Sequence, residues 1–294
     1  MNRTSRILAL ILAAVLIFSL AACAKSSTSG TSAPSADANA IPGLEDGVLT
    51  VAMECAYAPY NWAQADDSNG AVPIKGSSMY ANGYDVMTAK MICEKNGWQL
   101  EIVQLDWDSL IPAVMAGTVD AVIAGQSMTS ERMESVDFAG PYLYATIVCL
   151  TLKDSAYASA KGKSDLAGGS ATSQTGTIWY DSCLPQIDGA KIATAAADAP
   201  AMLMALESGT VDFVCTDMPT AQGALLTYPD MIILDFAGSG DDFEVSEEEI
   251  NIGISIQKGN TALLDAVNSA LAGQTADDFN ARMQDAIAIQ PIGG

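Results

Sequence analysis

"SLIPAVMAGTVDAVIAGQSMT" (residues 109–129) and "APAMLMALESGTVDFVCTDMPT" (residues 199–220) share the word GTVD, at Gly117 and again at Gly209, 92 residues apart (209 minus 117). The shared surroundings decide the fold. In the first copy Asp108 and Ser109 are N-cap candidates, Pro112 falls in the first turn, and Gly117 stops the helix. "VDAVIAG" then reads as a short buried strand ending at Gly125. In the second copy a short helix closes at Gly209, and "VDFVCT" is a strand running up to Thr216 and Asp217. Each GTVD is a helix stop followed by entry into a parallel strand. Ligands of open α/β sheets gather at the carboxyl ends of such strands. "AGQSMTSER" follows the first strand and "TDMPTA" the second, so the pattern predicts two α/β lobes offering two loops to one cleft.

The rest of the chain fits that frame. "GVLTVAME" reads as a strand, "GYDVMTAKMICEKNG" as a helix ended at Asn96-Gly97, and "WQLEIVQL" as another strand. The chain crosses to the second lobe after "DFAGPYLYATIVCLTLK" and returns near "EEEINIGISIQK". It finishes on the first lobe with the helical "TALLDAVNSALAG". Residues 47–146 and 250–294 are therefore expected to form lobe 1 and residues 147–249 lobe 2, with hinges near 144–148 and 248–252.

The N-terminus belongs to processing rather than fold. A basic start (Arg3, Arg6), an apolar run from Ile7 to Leu20 and small residues before Cys23 read as a signal peptide over residues 1–22. The run is short of the ~20 residues a membrane-spanning helix needs. "LAAC" resembles the lipobox of bacterial lipoproteins, in which Cys23 is lipidated. The Ser/Ala/Thr/Gly/Pro-rich stretch that follows reads as a flexible linker, and residues 23–46 as lipidated N-terminus and tether. Such a chain faces outside the cytoplasm, held to the cell membrane by its lipid.

The full chain carries 13 basic and 35 acidic residues. Removing residues 1–22 takes two arginines and no acid, leaving a net charge of −24 (11 minus 35). That surface repels nucleic-acid phosphates and anionic lipid. The run "GDDFEVSEEE" (240–249) reads as a solvated loop, since its spacing fits no calcium-loop pattern. The chain has no histidine, and past Cys23 its cysteines are Cys55, Cys93, Cys149, Cys183 and Cys215, with no C-x-x-C. A His/Cys zinc site and a Ser–His or Cys–His nucleophile are disfavoured, and no metal or cofactor is expected.

Seven ordered stretches resemble the family 3 extracellular solute-binding proteins, the amino-acid receptors of ABC importers. They are "LTVAMECAYAPYNW", "NGYDVMTAKMICEKNGW", "LDWDSLIPAVMAGTVDAVIAGQSMTSER", "VDFAGPY", "TSQTGT", "SGTVDFVCTD" and "GISIQKGNTALLDAVNSAL", spanning Leu49 to about Leu271. The resemblance implies a two-lobed periplasmic-binding-protein-like fold of type II, each lobe a mainly parallel sheet flanked by helices, joined by a two-strand hinge. It implies a monomer that closes on a free amino acid and hands it to an ABC transporter permease.

Carried over residue by residue, the family's carboxylate clamp falls on Arg132 in "TSER". A guanidinium offers a planar fork that meets a carboxylate through two charge-assisted hydrogen bonds, which an ammonium does not. Ser127 and the backbone at Ala124 and Gly125 would share that first-lobe strand end. Gly176 and Thr177 in "TSQTGT" would grip the carboxylate from the second lobe. Asp217 would meet the ligand's α-ammonium. Tyr57 and Trp107 match the aromatic walls of the cleft. The ordinary roles stand beside these: an Arg pairing with Glu131 or Glu134, an Asp capping a helix, rings packing in a core.

Glu54 is the most informative departure, standing where lysine/arginine-type and glutamine-type members have Asp. A carboxylate there suits a cationic or amide side chain, and a buried one is either ligand-paired or turned to water. The ligand is thus expected to be a polar or basic amino acid. The stretch 63–81 is longer than the family's usual loop and is expected to reshape the cleft mouth. The disulfide of lysine/arginine-type members has its first cysteine at Cys93 but Leu100 at its partner position, so that bridge is expected to be absent. A dehydratase acting on cyclohexadienyl acids, which resembles this family, is the alternative; there Glu54 would act as a general acid if burial raised its pKa. A sensor ectodomain is disfavoured, because nothing after Cys23 offers 18 consecutive apolar residues.

Overall fold

The computed structural model describes residues 41–291. The signal peptide expected at 1–22, the lipidation site Cys23 and the linker up to residue 40 lie outside the described residues. Strand β1 (Val48–Met53) leads into β2 (Ala56–Tyr57), β3 (Asn61–Gln64), β4 (Val72–Pro73) and β5 (Tyr80–Asn82). Helix α1 (Tyr84–Asn96), β6 (Gln99–Gln104), α2 (Leu110–Met115), β7 (Ala121–Val122), α3 (Ser130–Ser135) and β8 (Val136–Tyr144) follow. Next come β9 (Ile147–Leu152), β10 (Ser170–Thr172), β11 (Lys191–Ile192), α4 (Ala199–Glu207), β12 (Phe213–Asp217), α5 (Met218–Thr227) and β13 (Met231–Leu234). The described chain ends with α6 (Glu247–Ile250), β14 (Asn251–Gln257), α7 (Thr261–Leu271) and α8 (Ala276–Ile289).

The strands form two five-stranded sheets of mixed direction. The first has the order β6-β1-β7-β14-β8 and the second β11-β10-β12-β9-β13. In the first, β1 runs parallel to both β6 and β7, while β14 is antiparallel to β7 and β8. In the second, β10 is parallel to β11 and β12, while β9 is antiparallel to β12 and β13. The chain passes from the first sheet to the second between β8 and β9 and returns between β13 and β14. Val51, Ala52 and Met53 of β1 and Val214 and Cys215 of β12 are fully buried, as expected of strands covered on both faces.

Both GTVD words do the same physical work. Gly117 and Gly209 sit in left-handed backbone at φ +67° and +71°, where a Cβ is disfavoured. The aspartate of each word then clamps the start of the neighbouring parallel strand. Asp120 Oδ2 accepts the Thr50 amide at 2.8 Å while the Asp120 amide donates to the Thr50 carbonyl at 2.9 Å. Asp212 Oδ2 accepts the Ser170 amide at 2.7 Å while its own amide donates to the Ser170 carbonyl at 2.8 Å. A reciprocal pair of this kind fixes strand register at the edge where the ladder begins.

Two local expectations, the Ser109 cap and the end of the tether, are corrected. Residues 63–81 contribute to a small antiparallel sheet with the order β2-β3-β5-β4, in which β3 pairs with β5 and β5 with β4. The Lys75 amide donates to the Ile102 carbonyl at 2.8 Å, tying that sheet to β6. Ser109 precedes α2 but makes no side-chain cap, because a 3-10 turn over Trp107–Ser109 starts the helix instead. The tether does not reach residue 46, since Leu44 is buried and Asn260 Nδ2 holds the Pro42 carbonyl at 3.0 Å.

Candidate functional site

The segments that follow β1, β6 and β7 of the first sheet touch the segment after β10 and the end of β12 of the second, and the expected site residues lie on them. Asp217 closes β12 and caps α5, its Oδ1 accepting the Thr220 amide at 2.8 Å. Its Oδ2 accepts the Tyr57 hydroxyl at 2.8 Å, a bond that joins β2 to β12. Thr220 Oγ1 donates to the same hydroxyl at 3.2 Å. Asp217 is 1% exposed, and burial raises its pKa against the opposing pull of these hydrogen bonds. The ordinary capping role is therefore realised, and both carboxylate oxygens are engaged.

Tyr57 is locked from three sides. Its ring stacks on Tyr60 at 4.7 Å, and a Cβ placed on Gly125 would lie 2.8 Å from its Cε1. Only glycine allows that approach, and Gly125 also holds φ +63°. Ala124 is fully buried just before it.

Arg132 lies on α3, whose start is capped by Thr129 accepting the Arg132 amide. Nη1 donates to the Ser127 carbonyl and Nη2 to the Gly176 carbonyl, each at 2.8 Å, so the guanidinium ties the segment after β7 to the segment after β10. It lies 5.3 Å from the ring centroid of Trp107, within cation–π reach. A Cβ on Gly176 would sit 3.5 Å from Trp107 Nε1. Desolvation lowers the Arg132 pKa to about 10, with Glu131 and Asp181 opposing; the group stays charged at neutral pH. No carboxylate lies within ion-pair distance of Arg132 among the described residues, so the ordinary pairing with Glu131 or Glu134 is not made. Thr177 is turned inward, donating its hydroxyl to the Gln174 carbonyl at 2.7 Å. A cavity of about 450 Å³ opens beside Arg132, Gly176 and Thr177. Asp217 is not in its wall.

Glu54 follows β1 and is 5% exposed. Gln174 Nε2 donates to its Oε1 at 3.4 Å from the second sheet, and Oε2 has no partner. Burial first, then the charges of Asp198, Asp85 and Asp106, raise its pKa to about 8 against the Gln174 bond. The side chain is not turned to the outer surface. A cavity of about 330 Å³ adjoins it, walled by Gln104, Asp106, Trp107, Asp108 and Asp198. An unpartnered acid among acidic neighbours favours a cation.

Sequence reasoning missed several members of this constellation. Gln174 sits inside the quoted "TSQTGT", and Asp198 is read from the structure as cap of α4, accepting the Ala201 amide at 2.8 Å. Neither carries a local signal, because each matters only through a residue 120 or more positions away. The five cysteines beyond residue 40 are free and buried.

Over residues 49–286 the chain matches the profile of the bacterial extracellular solute-binding proteins, family 3, and it belongs to that family. A probable histidine-binding protein of Neisseria gonorrhoeae is 27% identical over 253 residues, covering 85% of this chain and 86% of that one. A probable histidine-binding protein of Campylobacter jejuni is 30% identical over 60% of this chain, and the match spans 62% of that relative's length. Among solved structures, the arginine-bound form of truncated ArgBP from T. maritima superposes with a TM-score of 0.62 at 30% identity, covering 77% of this chain and 95% of that one. The mixed α/β, two-lobed architecture expected from the sequence agrees with these structures.

Proposed function

We propose that this family member is the extracytoplasmic receptor of an ABC importer, capturing a polar or basic amino acid between its lobes, residues 47–146 with 250–294 and residues 147–249. The carrying observation is Glu54: a buried carboxylate with one unpartnered oxygen, beside a cavity walled by three aspartates. A cationic side-chain tip would neutralise that cluster. Arg132 would take the ligand's carboxylate together with Ser127 and Thr177, and Trp107 and Tyr57 would flank the chain between the poles. Asp217 would meet the α-ammonium through the lone pairs left free by its bonds to Tyr57 and Thr220, since an ionised carboxylate accepts about four hydrogen bonds. The closing contacts are those between the lobes: Arg132 to Gly176, Tyr57 to Asp217 and Gln174 to Glu54. The chemistry is binding, since two fixed charges at opposite poles suit a zwitterion and the chain has no histidine to relay protons. Lipidation at Cys23 would hold the receptor at the membrane beside its permease.

The test is a thermal-shift screen of the mature chain against the twenty amino acids, followed by calorimetry with L-arginine, L-histidine and L-cystine. A basic or polar amino acid raises the melting temperature and binds with micromolar or tighter affinity, about −8 kcal/mol. Equal stabilisation by glutamate, or none by any amino acid, refutes the assignment.

A further inference from the structure

Behind the first-lobe half of the site lies a carboxylate that is in the wall of neither cavity described above. Asp85, in the first turn of α1, is fully buried. Its oxygens diverge. Oδ2 accepts Asn61 Nδ2 at 2.7 Å, and Asn61 Oδ1 accepts the backbone amide of Cys55 at 2.7 Å. Oδ1 accepts the Tyr142 hydroxyl at 2.7 Å, and that oxygen accepts the backbone amide of Gly125 at 3.0 Å. Both captured amides belong to residues in left-handed backbone, Cys55 at φ +54° and Gly125 at φ +63°. Cys55 is the more telling, because a side chain disfavours that region and the conformation persists only where its surroundings impose it. The amide of Cys55 orients Glu54 just before it, and that of Gly125 sets the turn on which Tyr57 packs and after which Ser127 follows.

We propose that Asp85 is the positioning residue of the site: one buried carboxylate that fixes, through Asn61 and Tyr142, the two turns carrying Glu54 and Gly125. What those turns bind rests on the receptor reading above; how they are held does not. The residue type matters. A carboxylate accepts on both oxygens and donates on neither, whereas an amide turns a donor toward one of the two arms. Buried charge without a cation is a cost to the fold, and no Lys or Arg lies within ion-pair distance of Asp85 among the described residues. A purely architectural position would be filled as well by a neutral group. A group whose removal relieves the fold but loosens the site is placed for the site.

The test compares the whole mature chain with Asp85→Asn, Tyr142→Phe and Asn61→Leu, by amide nuclear magnetic resonance with hydrogen exchange, melting temperature at pH 8, and calorimetry with L-arginine. Tyr142→Phe should speed exchange and shift the resonance at Gly125 but not Cys55, and Asn61→Leu the reverse. Asp85→Asn should move at least the amide on the arm that meets the new donor, hold or raise the melting temperature, and weaken L-arginine binding at least tenfold. Unchanged amides in Asp85→Asn overturn the proposal, as does a loss of affinity that only follows a fall in melting temperature. Should Asp85→Asn not fold, the single-arm variants decide, and either one disturbing both amides or neither refutes the two-armed assignment. If wild type binds no L-arginine, the receptor reading is at fault, and the exchange pattern still tests Asp85.

Discussion

Glu54 couples ligand capture to protons, and the size of the effect follows from its surroundings. With a pKa of about 8, raised by burial and by neighbouring acids, its carboxyl is about nine-tenths protonated at pH 7. Pairing with a cationic side chain needs the ionised form, so the proton must leave as the ligand arrives. The ionised fraction is about 1% at pH 6 and about half at pH 8, so affinity for L-arginine should rise about 50-fold between them. The direction is fixed: a ligand that prefers the deprotonated acid binds better as pH rises, until its own α-ammonium titrates. Calorimetry at pH 7 in two buffers of different ionisation enthalpy should register release of about 0.9 proton per ligand. Glu54→Gln keeps the shape and removes the charge, so its affinity should be weaker than wild type at pH 8, nearly flat across the range, and without proton release. Equal wild-type affinity at pH 6 and pH 8, with no buffer dependence of the heat, would refute the reasoning.

Stability should run the other way. Asp85 and Glu54 have folded pKa values of about 6 and about 8, above their ordinary values of 3.8 and 4.5, so the folded chain binds more protons. Their contribution is fullest below about pH 4 and is lost as pH climbs toward 8, Asp85 alone losing on the order of 1 kcal/mol between pH 5 and pH 8; scanning calorimetry of the protein without added ligand should find the higher melting temperature at pH 5. Arg132→Lys replaces a fork that reaches Ser127 and Gly176 at once with a point charge, and should weaken amino-acid binding at least tenfold by calorimetry. Gly125→Ala forces a methyl to 2.8 Å from the Tyr57 ring in left-handed backbone and should cost about 1–3 kcal/mol in denaturant unfolding.

Much of this molecule is written locally. A glycine in left-handed backbone must end a helix at 117 and at 209, and the aspartate after it must find the next strand's amide, so GTVD foretells two αβ joints without knowledge of their partners. The apolar runs of β1 and β12 announce buried strands for the same reason. Where the sequence was silent, a long-range partner decided: nothing within residues 63–81 announces the pairing of β3, β4 and β5 or the anchorage to Ile102. The site divides along the same line. Residue types suited to a zwitterion are legible at Arg132, Asp217 and Glu54, because charge and donor geometry belong to the side chain itself. That Asp217 is already occupied by Tyr57, that Glu54 keeps one free oxygen, and that Asp85 holds two turns could not be read there. These depend on which groups face each other across the lobes, and on water being excluded between them. Chemistry of the groups came from the one-dimensional text; their partners, and so their protonation and aim, came from folding.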